Sequence, residues 1–423
     1  MKRNSIFLII AFALILLSVP VYWLVKEDSP QNINWVEGRV MNNFSIRHRG
    51  WMTSVKYLLR GDAAMFSEML QKDFVDGAFQ ADFEAAASDQ FPFRLALIQT
   101  AKTLERLVIR SAYALTKDPA IPADMQSVYY VMRDRSAIFE RPVPSQALKL
   151  EAIDRRIENY QVLLEKYPEI DFYVYVIERI QYSRFHPLNP YFKNVDAGQF
   201  LEYFLANHPD ELHVDRLALT SFDDFLKVYY HSDHHWNIHG VLRAYQDIHR
   251  MLQQNNPEIS PLRVYEDFIQ LDGVHFQGTA ARRSFYPFDA EIFEVVDYDL
   301  PPHQVFINGV EGVYGGSEKY FAGKFSTEPF YNHYEGFFGG DLPLIEFVFD
   351  TGSDRNLLVL GNSYDNALVP LLASHYHHTY SVDLRHYPKF SLSDFMAEHP
   401  VDDVIVIGEN PYAFASEKYL IKP

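Results

Sequence analysis

Hydrophobic and polar positions along this 423-residue chain fall into three successive patterns. The first is an apolar run from Ile6 to Val25, interrupted only by Ser18 and Pro20. A run of roughly 20 apolar residues matches a bilayer-spanning helix. Tyr22 and Trp23 stand near its far end, where amphipathic rings prefer the headgroup layer. The second pattern opens with a polar stretch from about Lys26 to Arg47 that lacks any period and reads as a spacer. From about Gly50 to Phe74, and again from about Phe83 to Thr116, apolar residues then recur at helical spacing. Leu58, Met65 and Met69 mark the first of these helices, and Leu97, Leu104, Leu107 and Val108 the second. Pro92 breaks the second helix near its start.

The third pattern begins after about Ser127 and alternates short strands with helices. Val128 to Met132, Asp171 to Ile177 (DFYVYVI), Asn356 to Leu360 (NLLVL), Thr379 to Leu384 and Val404 to Ile407 (VIVI) read as strands. Gln146 to Lys166, Gly198 to Asn207, Val241 to Gln254, Asp365 to Ser374 and Ser391 to His399 read as helices. Strands separated by helices of about ten residues predict an α/β fold with a doubly wound, mainly parallel sheet. In such sheets ligands gather at the carboxyl ends of the strands. That rule marks the loops after Leu360, Leu384 and Ile407 before any chemistry is weighed.

Charge adds direction to this layout. Lys2 and Arg3 precede the apolar run, while Lys26 is followed at once by Glu27 and Asp28. The positive-inside rule therefore places the N-terminus in the cytoplasm and everything after about Val25 outside. The run is longer than the core of a cleaved signal peptide and ends without an A-x-A-like site, so an uncleaved signal anchor is expected. The net charge of −18 and the absence of a Lys/Arg stripe argue against nucleic acid as a partner. The same charge repels polyanionic substrates unless a local basic groove receives them. Cysteine is absent, which excludes disulfides, thiolate chemistry and cysteine-ligated zinc.

Two segments carry candidate chemistry. Gly361-Asn362-Ser363-Tyr364 sits between the strand NLLVL and the next helix. A serine on such a turn presents its hydroxyl at the sheet edge, and its own N–H at a helix start can meet a developing oxyanion. The competing role for Ser363 is a helix N-cap. The second segment is Ser232-Asp233-His234-His235-Trp236. A serine needs a base to take its proton, and a histidine base needs a carboxylate to fix its tautomer. Asp233 and His235 can supply that pair from one loop, with His234 as the rival base. Other readings of the loop are a surface histidine cluster or a zinc site, from His231 with His235 or from Asp233, His235 and His239. A further cluster, His375 with His377 and His378, reads as ordinary surface on the helix after Ser363.

Taken together, SDHHWN, GNSYDNALVPLLASHY and TYSVDLRHYP resemble the signature stretches of the DHHW family, which is allied to the SGNH-like alginate O-acetyltransferases. DQFPFR at Asp89 to Arg94 and YEGFFGGD at Tyr334 to Asp341 are similar to further segments of that group. The resemblance covers roughly residues 80 to 423, and the Asp-His-His-Trp string is its most specific part. It implies an SGNH hydrolase-like fold with Ser363 as nucleophile, His235 as base and Asp233 as its orienter, and Arg385 as a cation near the acyl or sugar site. Two departures stand out. Asn362 occupies the place before the serine that is often Asp in such enzymes. No separate Gly-x-Asn-Asp block supplies a second oxyanion donor, which leaves Asn362 and Tyr364 as candidates, beside their plainer roles of turn former and core aromatic.

The expectation is therefore an extracellular O-acetyltransferase that moves acetyl groups onto a polysaccharide through an acetyl-serine, with no cofactor. The resemblance implies a membrane-bound acyltransferase partner as acetyl donor. Esterase action with the same triad, and a non-catalytic carbohydrate-binding protein, are the alternatives. The chain divides accordingly into a cytoplasmic tail (1–5), a transmembrane anchor (6–25), a spacer and helical stalk (26–80) and the catalytic domain (81–423).

Overall fold

The computed structural model describes residues 33–34, 39–41, 56–71, 81, 84–85 and 88–89. It also describes residues 94–423 apart from 119–120, 123, 127, 287, 329–330, 351–352 and 388. The expected anchor, Ile6 to Val25, lies outside the described residues, as do most of the spacer and much of DQFPFR. Among the described residues no helix is long and apolar enough to cross a membrane. The chain divides into two compact units, Met1–Val108 and Ile109–Pro423.

In the first unit, strands β1 (Ile33–Asn34) and β2 (Arg39–Val40) pair antiparallel. Helix α1 (Ala63–Leu70) starts where the Asp62 carboxylate accepts the Met65 N–H, a local substitute for a missing intrahelical partner. Helix α2 (Arg94–Thr116) begins two residues after Pro92 and crosses the unit boundary.

The second unit is built on one eight-stranded sheet. Its first strands, β3 (Asp124–Gln126), β4 (Tyr129–Val131) and β5 (Ile138–Glu140), form a separate antiparallel meander. Helix α3 (Leu150–Lys166) leads to β6 (Asp171–Ile177), α4 (Gln199–Asn207) to β7 (His213–Leu217), and α5 (Phe222–Val228) to α6 (Ile238–Asn255). A hairpin of β8 (Phe268–Phe276) and β9 (Glu291–Val296) encloses α7 (Thr279–Ser284). Strands β10 (His303–Ile307) and β11 (Val310–Glu311) follow, then the short helices α8 (Ser317–Phe321) and α9 (His333–Phe338). The chain closes with β12 (Leu344–Phe349), β13 (Asn356–Leu360), α10 (Val369–Ala373), β14 (His378–Val382), α11 (Leu392–Glu398) and β15 (Asp403–Glu409).

The sheet order is β11-β10-β12-β14-β13-β15-β6-β7. Strands β14, β13, β15, β6 and β7 pair parallel, which matches the expected doubly wound core. The other edge differs from the expectation: β12, β10 and β11 run antiparallel to their neighbours. The sequence pattern explains both halves. All five residues of β13 are buried, as befits a parallel strand covered on both faces. Strand β12 instead alternates between buried and half-buried positions, the signature of a strand covered fully on one face.

Alternate residues of β13 feed two cores. Leu357 and Val359 join Trp236, Val241 and Ile248 on one face, while Leu358 and Leu360 join Ile153, Leu163 and Phe204 on the other. Helices thus clamp both faces, and register is fixed because a one-residue slip would exchange the two sets. One expected helix is shorter than the sequence suggests. Asp365 to Ser374 is a 3₁₀ turn, Asp365–Ala367, followed by α10, with Pro370 in its first turn. Proline fits there because it has no N–H to donate.

Candidate active site

The Gly361–Tyr364 turn leaves the carboxyl end of β13, where the switch in strand order opens a crevice. Gly361 leads into Ser363, and a Cβ on Gly361 would meet the Asp365 carboxylate at 2.3 Å, so a side chain there would displace the turn. Asn362 fixes the turn from both ends of its amide: Nδ2 donates to Glu409 at the end of β15 (2.8 Å), and Oδ1 accepts the Tyr364 N–H (3.2 Å). Only its second amide hydrogen remains for an oxyanion. Tyr364 is buried and donates its hydroxyl hydrogen to the His234 carbonyl, tying the serine turn to the histidine loop.

That loop is a pinched segment between α5 and α6. Tyr229 and Trp236 bridge antiparallel, the Tyr230 N–H donates to the His235 carbonyl, and Asn237 caps α6 through Oδ1. Inside the pinch the Asp233 carboxylate accepts the His235 N–H (2.9 Å) and faces His235 Nδ1 (2.6 Å). The opposite nitrogen, Nε2, lies 2.9 Å from Ser363 Oγ. Asp233, His235 and Ser363 thus form one hydrogen-bonded line across 128 residues of sequence. A carboxylate only accepts, so Nδ1 carries the hydrogen and Nε2 faces the hydroxyl with a lone pair. His234 lies beside the line, its ring centroid 3.9 Å from that of His235 and its Nδ1 3.4 Å from Asp233, with no bond to Ser363.

Electrostatics keep the carboxylate charged. Burial raises the Asp233 pKa, but the imidazoles of His234 and His235, the bond from His235 and the Thr279 N–H more than reverse this. The group ends well below the usual carboxylate value. His234 is pushed well below the ordinary histidine value, first by burial and then by the charge of His235. It stays neutral at physiological pH.

Four supporting groups were not legible in the sequence. Glu291, at the start of β9, accepts the N–H groups of His231 and Ser232 and the Ser232 hydroxyl, and so holds the loop from a distance of 59 residues. Gly278 and Thr279 open α7 against the loop: the Thr279 N–H donates to Asp233, and a Cβ on Gly278 would strike the Asp233 Cβ at 2.3 Å. Tyr334 on α9 stacks its ring on His235 with centroids 4.1 Å apart and planes 9° from parallel. The YEGFFGGD segment contains Tyr334, yet nothing in its spacing ties it to the histidine.

The other candidates fall elsewhere. Arg385 is engaged by two carboxylates, doubly by Asp383 and at 2.7 Å by Asp341, and makes no hydrogen bond to the triad. His231 pairs with the Leu226 carbonyl and His239 with Glu294, so neither joins His235 in a zinc set. Among the described residues, donor atoms within 4.8 Å of one another occur in Asp233-His234-His235 and in Asp341-Asp383-His386. In the first set the Asp233 and His235 donors face each other; in the second Arg385 already occupies both carboxylates. His375 departs from the surface reading of its cluster, which holds for the exposed His377: His375 is 2 % exposed and hydrogen-bonded at both nitrogens, because the short helix α10 turns it into the core.

No protein-family model and no curated protein matches the chain. Among solved structures, Bacillus cereus PatB1, determined with a sulfonyl adduct, matches with a TM-score of 0.55 and 17 % identity. The match covers 68 % of this chain and 98 % of that one. The mixed α/β architecture with its large, mainly parallel sheet fits an SGNH-like fold. A looser likeness is to a DHHW family protein from Eubacterium siraeum DSM 15702, at TM-score 0.44, 16 % identity, and coverage of 59 % of this chain and 81 % of that one. The O-acetyltransferase domain of Pseudomonas putida AlgJ follows at 0.32, 10 %, and coverage of 63 % and 82 %.

Proposed function

We propose that the chain is a serine O-acetyltransferase acting on polysaccharide, with Ser363 as nucleophile, His235 as general base and Asp233 as its orienting anion. The observation that carries this reading is the line Asp233–His235–Ser363, with bonds of 2.6 and 2.9 Å and the histidine lone pair aimed at the hydroxyl. Acetyl and carbohydrate as the transferred and accepting groups are supported by the resemblance of the motifs, and the SGNH-like fold is compatible with them.

In the first half-reaction Ser363 Oγ attacks the carbonyl carbon of an acetyl ester while His235 Nε2 takes the hydroxyl proton. The tetrahedral oxyanion collapses, the donor alcohol leaves with that proton, and acetyl-Ser363 remains. In the second half a sugar hydroxyl attacks the acetyl carbon and gives its proton to Nε2. Collapse then returns the proton to Ser363 Oγ and releases the acetylated sugar. Asp233 holds the Nδ1–H and stabilises the imidazolium formed in each half. Stacking of Tyr334 on His235 fixes the ring plane and shields it from water. In the same reading the domain works outside the cell, tethered by Ile6 to Val25, and a membrane-bound acyltransferase passes the acetyl group to Ser363.

The test supplies an activated acetyl ester with and without an oligosaccharide acceptor. Acetylated sugar should accumulate and an acetyl group should be trapped on Ser363 by rapid quenching and mass spectrometry. Release of free acetate unaffected by sugar, with no acetylated sugar formed, refutes transfer.

A further inference from the structure

Beside the triad lies a groove of about 530 Å³ that none of its three members lines. Pockets of about 300–1,000 Å³ are the usual size for small-molecule sites. Its walls are aromatic. Tyr298 and Tyr314 are pinned by their hydroxyls, which donate to the Ala367 and Gly340 carbonyls, and Phe321 stands 39 % exposed. Its rim is acidic. Asp297, Asp299, Glu311 and Glu318 are all exposed, and among the described residues none of the four takes part in an ion pair. Lys319 is the one lysine or arginine among the described lining residues.

The groove is joined to the catalytic line by two short connections. Helix α9, which lays Tyr334 on His235, offers Phe337 and Phe338 to the groove. Asn366, three residues past Ser363, also lines it. A sugar seated there is therefore not the unit at the serine but a neighbour of it, so the ligand has at least two units.

We propose that this groove binds a polymer of amino sugars bearing free, protonated amines, and that it holds the units flanking the one acetylated at Ser363. The proposal rests on the transfer reading above and names its acceptor class. Flat aromatic rings receive the C–H faces of pyranoses. Ammonium groups are attracted both by the carboxylate rim and by the aromatic faces. A uronate polymer carries the sign of the rim and is repelled.

The test titrates the full-length Ser363→Ala protein with a fully deacetylated glucosamine tetramer by calorimetry. The N-acetylated tetramer and a galacturonate tetramer serve as neutral and anionic comparisons. The glucosamine tetramer should bind about tenfold more tightly than either, and adding Asp299→Lys with Glu318→Lys should weaken it about tenfold. Phe321→Ala, which leaves the charges alone, should also weaken it. Equal binding of the neutral or anionic tetramer, or an affinity that survives charge reversal, overturns the proposal. A sulfonyl fluoride applied to groove variants that retain Ser363 separates the two readings. Labelling at the wild-type rate without charge-dependent binding sinks the groove alone. A wild-type protein that does not label sinks the transfer reading beneath it.

Discussion

Among the described residues two serine hydroxyls bond to histidine rings, in very different settings, and comparing them shows what a nucleophile would require. His235 Nε2 lies 2.9 Å from Ser363 Oγ at the carboxyl edge of the sheet. His375 Nδ1 lies 2.6 Å from Ser260 Oγ, between α6, α10 and the loop after α6. By distance alone the second pair is the better bonded. The difference lies in what holds the far nitrogen. His235 Nδ1 faces the Asp233 carboxylate, which can only accept, so the lone pair must face Ser363. His375 Nε2 faces the Tyr245 hydroxyl, whose oxygen also receives the Arg263 N–H. The assignment that satisfies the buried Tyr245 and His375 has Tyr245 donating to Nε2, and His375 then donates its own Nδ1–H to Ser260, whose half-buried hydroxyl can turn its hydrogen to solvent. That serine accepts a hydrogen bond, whereas Ser363 is placed to donate one to the ring.

Charge follows the same division. Asp233 stays an anion beside His235, ready to stabilise an imidazolium. Burial, with the nearby His249 and Arg263, pushes His375 down to about 3, so it stays neutral and takes no proton in the working range. One pair is set up for proton transfer and the other for cohesion.

The largest effects expected are at the first pair. Ser363→Ala or His235→Ala should lower acetyl transfer by about 10⁴- to 10⁶-fold, and Ser260→Ala should leave the rate unchanged. A comparable loss in Ser260→Ala, measured by steady-state kinetics, would break the contrast. Asp233→Asn removes the anion that sets the tautomer and should cost about 10⁴-fold in kcat while the protein still folds. Glu291→Ala should lower kcat roughly tenfold with KM little changed, because the loop loses three accepted bonds far from substrate. Glu291→Gln, which retains acceptor oxygen, should recover part of that loss; a variant that shifts KM alone removes Glu291 from loop positioning.

The neutral, buried histidines outside the catalytic line add a pH signature of their own. His375 at about 3, and His186 and His333 at about 4, all depressed first by burial, bind protons in the unfolded chain before they do so in the folded one. Stability should be fully present above about pH 6.5 and fall as the pH drops toward 4, by about 1.4 kcal/mol per histidine for each pH unit in that window. Denaturant titrations at pH 7, 6, 5 and 4 read this directly, and a flat profile contradicts it. The smallest effect is Ser260→Ala, which should cost about 1 kcal/mol of stability by orphaning the His375 Nδ1–H.

Elements with strong local rhythm were legible in the sequence. DFYVYVI and NLLVL are strands at their expected bounds, and the resemblance of the Asp-His-His-Trp string singled out Asp233 and His235, the pair of which His235 meets Ser363. What escaped depends on distance along the chain. Glu291 reaches the histidine loop from 59 residues away, and Tyr334 meets His235 by stacking, which leaves no spacing rule. The antiparallel edge was invisible because pairing direction is decided by connections rather than by composition. His375 was misplaced because a run of histidines looks polar, whereas α10 is too short to keep all of them on one exposed face.

Everything here depends on an imidazole lone pair activating the hydroxyl of Ser363. The direct measurement is to treat the full-length protein with a fluorophosphonate and locate the adduct by mass spectrometry. A single adduct on Ser363, lost in His235→Ala and slowed strongly in Asp233→Asn, is the predicted result. An unmodified Ser363, or a phosphonate found on Ser260 instead, would contradict the account.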